Sequence, residues 1–188
     1  MVSQARRRKF LSAEALDRVA NEMTRLARRQ KVRAAVVGGL AMQLYGSDRL
    51  TMDVDFIADQ PLTGLKQRGK IAFGGAKLVS PDGAPVDWIV RNDAYRALYA
   101  EALGKAEKVL GQGYSVVTLP YLAAMKMAAR RPKDHLDLEE ILMSGALRAG
   151  QARQARAIIL RHLGEYAAED FDDLVHHAEW RKDKEAGR

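Results

Sequence analysis

Residues 36–57 read VVGGLAMQLYGSDRLTMDVDFI, and this stretch sets the expected fold. The valines at 36–37 close a run of small and branched apolar residues, which predicts a strand that is covered on both faces. Gly38 and Gly39 follow, and glycine allows the backbone to turn sharply. Residues 40–44 predict a short helix, and a basic linker leads from it to a second strand.

The two glycines also leave space for a ligand, because they have no Cβ. If a helix begins directly after Gly39, its free N–H groups and the positive end of its dipole face the turn, which favours phosphate binding. The alternative interpretation is a tight turn between a strand and a helix, with no ligand.

Two aspartates share one face of the second predicted strand. Met52, Val54 and Phe56 alternate with Asp53 and Asp55, which separates the apolar side chains from the carboxylates. Adjacent carboxylates repel each other unless a cation lies between them. Magnesium binds oxygen ligands and usually brings substrate phosphates with it, so the stretch predicts a metal site beside a phosphate site. An edge strand with a solvated face is the alternative, but the order and spacing of the whole stretch favour the site.

This pattern resembles the signature of the DNA-polymerase-β-like nucleotidyltransferase superfamily, in which a strand and a Gly-Gly or Gly-Ser pair precede an Asp-x-Asp between apolar residues. The finer pattern looks most like the AbiEii/MenT toxin-type nucleotidyltransferases, and it consists of Gly38-Gly39, Ala41, Tyr45-Gly46, Arg49, Thr51 and Asp53-Val54-Asp55-Phe56. The resemblance implies that Asp53 and Asp55 bind magnesium and that a third carboxylate comes from a neighbouring strand.

Asp87 is our choice for the third carboxylate. Residues 85–90 predict a strand in which Val86, Trp88 and Val90 occupy one face, which leaves Asp87 on the other. It is the acid within an apolar strand that could lie beside the strand of Asp53 and Asp55. A single aspartate in a strand has no function in most proteins, and that interpretation stays open.

Arg49 precedes Asp53 by four residues and falls in the Arg-x-x-x-Asp-x-Asp pattern of the same family. A guanidinium can bind phosphate oxygens bidentately, so Arg49 is a candidate nucleotide-binding residue. A salt bridge to Asp48 or to an acidic loop is the alternative.

A second block, at residues 119–138, also resembles the toxin-type family. In that family a lysine and a Lys-Asp or Arg-Asp pair close over the triphosphate. The resemblance therefore implies that Lys126 contacts the nucleotide phosphates. Lys133 would add positive charge, and Asp134 would orient one of these cations. Without the resemblance, Lys126 would be interpreted as a lysine whose stem packs while its amine reaches water.

The rest of the chain predicts an α+β fold, an α/β-like mixed sheet flanked by helices. We expect residues 1–118 to form a nucleotidyltransferase-type sheet core with an N-terminal helix, and residues 119–188 to form a helical subdomain packed on it. Ser12 is the expected N-cap of the first helix. The further predicted segments are a polar connector at 61–70, a strand at 76–80, a helix at 94–103, a hairpin of 108–110 with 114–118, and a solvated tail at 181–188.

The composition indicates a soluble globular protein. The chain has 188 residues, a formal net charge of +7 and no cysteine, which excludes disulfides and zinc–thiolate sites. No segment has the length of a membrane span and the N-terminus lacks a signal-peptide core, so we expect a cytoplasmic protein with no membrane partner. The basic surplus favours a polyanionic partner. The run Arg6, Arg7, Arg8 and Lys9 predicts a solvated terminus, with a contact to tRNA or DNA phosphates as the alternative.

The predicted function is Mg²⁺-dependent transfer of a nucleoside monophosphate from an NTP to RNA, such as the tRNA 3′ end, or to a protein. One or two ions are expected, and the resemblance implies a toxin-like role with a possible cognate antitoxin. The alternatives are a nucleotidyltransferase that modifies a small molecule such as an antibiotic, and a non-catalytic nucleotide- or RNA-binding module on the same fold.

Overall fold

The computed structural model describes residues 10–187, so the basic run at residues 6–9 lies outside the described part of the chain. The strands within these residues are β1 (Ala34–Val37), β2 (Val54–Ala58), β3 (Gln67–Lys70), β4 (Gly75–Val79), β5 (Pro85–Ile89), β6 (Glu107–Lys108) and β7 (Ser115–Val116). The helices are α1 (Ala13–Arg29), α2 (Gly38–Leu44), α3 (Arg96–Gly104), α4 (Leu119–Ala129), α5 (Pro132–Met143), α6 (Ala149–Leu163) and α7 (Glu165–Ala186).

Strand β2 lies at the centre of one mixed sheet, whose order is β3-β4-β5-β2-β1-β7-β6. It pairs antiparallel with β1 and parallel with β5. In the β2–β5 register Asp55 lies opposite Asp87, and Phe56 lies opposite Trp88. Because side chains alternate along a strand, Asp55 and Asp87 share one face of the sheet. The predicted adjacency of these two strands is confirmed.

The opposite face of β2 and β5 is apolar. Val54, Phe56, Val86 and Trp88 are at most 1% exposed. The ring centroids of Phe56 and Trp88 are 5.2 Å apart, which is a favourable separation for an aromatic pair. Burial of these side chains fixes the register, since a slip by one residue would turn the carboxylates into the core.

Helix α1 packs on β1 and β2. Its buried residues include Leu16, Val19 and Met23, which recur at helical spacing. The Ser12 hydroxyl accepts a hydrogen bond from the Ala15 N–H at 3.3 Å, so the predicted N-cap is confirmed. The helix thereby covers the sheet with the apolar stripe that the sequence shows.

Helices α4 and α5 meet at a sharp break. Arg130 has a left-handed conformation with φ of 51° and ends α4. Pro132 begins α5, in the first turn, where a missing N–H removes no helical hydrogen bond. Pro132 cannot continue α4, which explains why a new helix begins there.

The predicted α+β fold class is confirmed, but some local predictions were wrong. Residues 67–70 form β3 rather than a connector, because their backbone pairs with β4 although the side chains are polar. Residues 181–186 continue α7 rather than forming a tail, with Arg181 and Glu185 paired one turn apart. The hairpin strands β6 and β7 have only two residues each. The division at residues 118 and 119 stays a prediction.

No helix among residues 10–187 combines the length and the apolar composition that crossing a membrane requires.

Candidate active site

Three carboxylates meet on the face of the sheet opposite the aromatic pair. Asp55 lies in β2, Asp53 directly precedes that strand, and Asp87 lies in β5. One oxygen from each carboxylate lies within 4.8 Å of one oxygen from each of the others. The register causes this approach, since it places Asp55 opposite Asp87. The structure therefore brings the three predicted acids together, while their role as metal ligands stays a prediction.

Burial and mutual repulsion disfavour the charged form of Asp55. Burial is the larger cause, and the charges of Asp53 and Asp87 add to it, which raises the pKa of Asp55 to about 7. The positive charges of Lys133 and Arg131 act in the opposite direction but do not offset the first two effects. A carboxyl group in this position gains from any cation that enters the cluster.

Two polar side chains contact the carboxylates directly. The Lys77 amine of β4 lies 3.2 Å from Asp87 Oδ2, because Lys77 lies opposite Asp87 in the β4–β5 register. The Thr51 hydroxyl donates to Asp53 Oδ1 at 3.1 Å. The Lys77 side chain is 48% exposed, so its ion pair is weak and can open when another cation approaches.

The glycine turn lies against the same carboxylates. Gly38 has φ of 65°, and a Cβ built there would overlap Asp55 Oδ2 and come within 2.7 Å of Asp55 Cγ. A Cβ on Gly39 would lie 2.6 Å from Thr51 Cβ. Both positions require glycine on steric grounds, because the strand β2 and the linker before it pass too close for a side chain. The turn therefore fixes the position of Asp55.

Helices α4 and α5 contribute a buried ionic cluster to the site. Lys126 is 4% exposed and donates to Asp137 Oδ2. Arg49 Nη1 donates to the same oxygen at 2.5 Å. Burial lowers the pKa of the Lys126 amine, although Asp137 and Asp134 act to raise it. Lys126 is therefore not a lysine that reaches bulk water, and Arg49 pairs with Asp137 rather than with Asp48.

The cation that contacts Asp134 most closely is Arg131, which the sequence did not single out, rather than Lys126 or Lys133. Arg131 donates to Asp134 through Nε at 2.6 Å and through Nη2 at 3.0 Å. The Lys126 amine lies further away, 3.9 Å from Asp134 Oδ1. Arg131 directly precedes α5 and Asp134 lies in its first turn, so the short sequence separation lets the guanidinium fold back onto the carboxylate.

A cavity of about 410 Å³ connects these groups. Its size falls within the range of sites that bind small molecules and cofactors. The carboxylates line it from the sheet, and basic groups of α4, α5 and the linker before β2 line it from the other elements. All the residues that the sequence predicted for the site line this cavity, namely Gly38, Gly39, Arg49, Asp53, Asp55, Asp87, Lys126, Lys133 and Asp134.

Sequence reasoning missed other residues of the cavity wall: Lys77, Phe73, Arg91, Tyr99 and Arg131. The position of Lys77 follows from the β4–β5 register, which sequence alone does not supply. Tyr99 lies in α3 and is only 9% exposed, as is typical of a packing residue. Phe73 and Arg91 stand in segments without a motif. Arg131 had the clearest signal, since it lies within the block that resembles the toxin-type family.

The donor set suits a hard divalent cation such as Mg²⁺. The clustered carboxylates supply oxygen ligands only, which Mg²⁺ prefers and which soft thiophilic metals do not. A cation bound there would favour the charged form of Asp55, whose pKa burial and the neighbouring carboxylates raise to about 7. Asp53, Asp55 and Asp87 would hold such an ion.

No protein-family model matches the chain, and no curated protein matches its sequence. Among solved structures, the chain is similar to the crystal structure of an antigenic nucleotidyltransferase-like protein from Paracoccidioides brasiliensis. The two are 16% identical with a TM-score of 0.47, and the match covers 89% of this chain and 95% of that chain. A likeness at this level carries no conclusion about activity, so any functional proposal depends on the geometry of the site.

Proposed function

We propose that this protein transfers a nucleoside monophosphate from an NTP to an acceptor hydroxyl and releases pyrophosphate. One observation carries the proposal: three carboxylates converge within 4.8 Å in a cavity that basic side chains also line. Such an arrangement suits phosphoryl transfer, since catalysis of that reaction depends on positioning and on stabilising the charge of the phosphates.

The basic side chains of the cavity would bind the triphosphate. Arg49, Lys126, Arg131 and Lys133 all line it. Asp137 holds Arg49 and Lys126 together, which fixes both cations before a ligand arrives and lowers the entropy cost of binding. Placed at the β- and γ-phosphates, these groups would stabilise the charge that develops on departing pyrophosphate.

The acids would act at the reacting centre. In the proposed step the acceptor oxygen forms a bond to the α-phosphorus, and the bond from that phosphorus to the oxygen bridging to the β-phosphorus breaks. Asp87 accepts the proton of the acceptor hydroxyl, and pyrophosphate leaves with the bridging oxygen. One or two Mg²⁺ ions held by Asp53, Asp55 and Asp87 would supply charge neutralisation and activation of the acceptor oxygen.

RNA is the acceptor class that the charge of the protein favours. The formal net charge of +7 would attract a polyanion and strengthen its association at low salt. We propose that the acceptor is RNA with a free 3′ end, such as tRNA, in preference to a protein. A toxin-like role with a cognate antitoxin belongs to the same proposal, and it requires that expression of the chain arrests growth unless a partner is co-expressed.

The test is incubation of the protein with Mg²⁺, each labelled NTP in turn, and total tRNA, followed by mass spectrometry of the RNA and of the protein. We expect Asp53→Asn, Asp55→Asn and Asp87→Asn each to lower transfer by a factor on the order of 10² or more. Asp82→Asn is the matched control, because Asp82 lies in an exposed turn and pairs with Arg18. Full activity in any of the first three variants would contradict the proposal.

The same preparation separates the alternatives. Transfer to a panel of small hydroxylated acceptors, with none to RNA, would identify a small-molecule nucleotidyltransferase. RNA binding that is unaffected by chelation of Mg²⁺, with no transfer to any acceptor, would identify a binding module. Thermal melting adds a further readout, since Mg²⁺ should stabilise the wild type more than the Asp53→Asn variant.

A further inference from the structure

One wall of the cavity differs from the charged remainder, since it is built from aromatic, aliphatic and guanidinium surface. The guanidinium carbon of Arg91 lies 4.0 Å from the ring centroid of Phe73 and 4.6 Å from that of Tyr99. Ile71 and Ile89 extend the same wall. We define the stacking wall as Ile71, Phe73, Ile89, Arg91 and Tyr99, all of which line the cavity.

Arg91 is held rigidly in this wall. Its Nε donates to Asp93 at 2.7 Å, and its Nη1 donates to the Tyr99 hydroxyl at 3.1 Å. The Arg91 side chain is only 8% exposed. Because two of its nitrogens are fixed and its side chain is nearly buried, Arg91 holds the rings of Phe73 and Tyr99 in place. The wall is therefore ordered before a ligand stacks on it, which lowers the entropy cost of binding.

The proposed triphosphate contacts do not use this wall. Arg49, Lys126, Arg131 and Lys133 are basic and would bind phosphates, whereas the stacking wall offers planar and apolar surface with few charges. Proteins that bind unpaired bases commonly stack them on aromatic side chains or arginine planes. The cavity therefore combines both kinds of surface that a nucleotide needs, with the carboxylates lining the same space.

We propose that the stacking wall is a nucleobase subsite. The inference rests on the proposed nucleotidyl transfer. It assigns a binding surface to the nucleobase, which the residues proposed to bind the triphosphate would not contact. The base can belong to the donor NTP or to the terminal nucleotide of an RNA acceptor, and the ligand chemistry is the same in both cases.

Calorimetric titration in the presence of Mg²⁺ tests the subsite, with the four NTPs and inorganic tripolyphosphate as probes. Phe73→Leu removes a ring while keeping apolar volume, and Arg91→Lys removes the planar group while keeping the charge. We expect both variants to bind the preferred NTP at least roughly fivefold more weakly, with tripolyphosphate binding unchanged. Tyr95→Leu is the matched control, because Tyr95 also stacks on Arg91, at 5.2 Å, but does not line the cavity.

A parallel measurement of tRNA binding by fluorescence anisotropy shows whether the bound base belongs to the donor NTP or to the RNA acceptor. Weaker NTP binding places the donor base on the wall, whereas unchanged NTP binding with weaker tRNA binding places the acceptor base there. Unchanged binding of both, or an equal loss for NTP and tripolyphosphate, would overturn the subsite and leave the transfer reaction standing. A wild-type protein that binds no NTP would instead defeat the proposed function, and the subsite with it. Phe73→Leu decides the matter if Arg91→Lys does not fold.

Discussion

At the scale of one residue, the carboxyl group of Asp55 lowers the free energy of unfolding when it is charged and no metal is bound. Its pKa rises from 3.8 to about 7 on folding, so the folded state binds this proton more tightly than the unfolded state does. The contribution of Asp55 to stability is therefore complete below about pH 4 and is lost as the pH rises to about 7. A bound divalent cation would reverse this effect, because it favours the carboxylate.

We expect Asp55→Asn to have a higher free energy of unfolding than the wild type in EDTA at pH 8, by about 2 kcal/mol. This value is smaller than the full pKa shift of Asp55 would give, because the cluster can relax around the charged carboxylate. The difference should shrink toward pH 4.5, where the wild-type carboxyl group is protonated. Urea unfolding at pH 4.5, 6 and 8 measures it, with Asp82→Asn as the control for loss of an exposed carboxylate. A difference that does not change with pH would contradict the assignment.

Gly38 is the second residue on which the site depends, and for steric reasons. We expect Gly38→Ala to destabilise the protein by roughly 2 kcal/mol, from backbone strain at φ of 65°, and also to weaken Mg²⁺ binding, because the new methyl group would displace Asp55. Urea unfolding and Mg²⁺ titration measure the two effects.

Gly83→Ala serves as the control that separates the effect of backbone strain from the effect of displacing Asp55. Gly83 has φ of 86°, but a Cβ there would meet no atom within 4 Å. This variant should lose stability and keep its affinity for Mg²⁺. If Gly38→Ala also kept that affinity, the glycine turn would have no part in positioning Asp55.

At the scale of elements, the buried carboxylate of Asp137 joins α5 to α4 and to the linker before β2. Its side chain is 5% exposed and accepts from both Lys126 and Arg49. We expect Asp137→Asn to destabilise the protein by about 3 kcal/mol, because two cations lose their counter-ion and Lys126 is buried. Urea unfolding checks this value.

An exposed ion pair of the same helical half provides the comparison. Asp170→Asn removes the partner of Arg130, and both of those side chains are more than 60% exposed, so its effect should stay below about 1 kcal/mol. Replacing Lys126 and Asp137 together by Met and Leu should recover part of the loss. Equal effects of Asp137→Asn and Asp170→Asn would show that the cluster is not stabilising.

Elements with strong local signals could be predicted from the sequence, and elements defined by pairing could not. Ser12, the glycine turn and Pro132 each mark a boundary through backbone chemistry that the residue itself carries. Strand β3 has no such signal, because its exposed, polar side chains give no alternation and its formation depends on hydrogen bonds to β4. The last turns of α7 were missed because a polar, exposed helix end lacks an apolar stripe.

At the scale of the whole molecule, the candidate site combines residues of one sequence motif with residues that only the pairing of strands in the sheet brings together. The acids Asp53 and Asp55 follow from alternation in a single segment. The convergence of Asp87 and the position of Lys77 depend on the register of β2, β5 and β4, which links segments distant in sequence. The stacking wall could not be predicted at all, because Phe73, Arg91 and Tyr99 come from separate elements and carry no shared spacing.

The central position of β2 keeps the clustered carboxylates away from the borders of the sheet. Its neighbours β5 and β1 fix it on both sides, whereas β3 and β6 form the two borders of the sheet. Insertions or deletions at those borders would leave the spacing of the acids intact. A chain built in this way could change what its borders contact while the arrangement of the carboxylates in its middle stays the same.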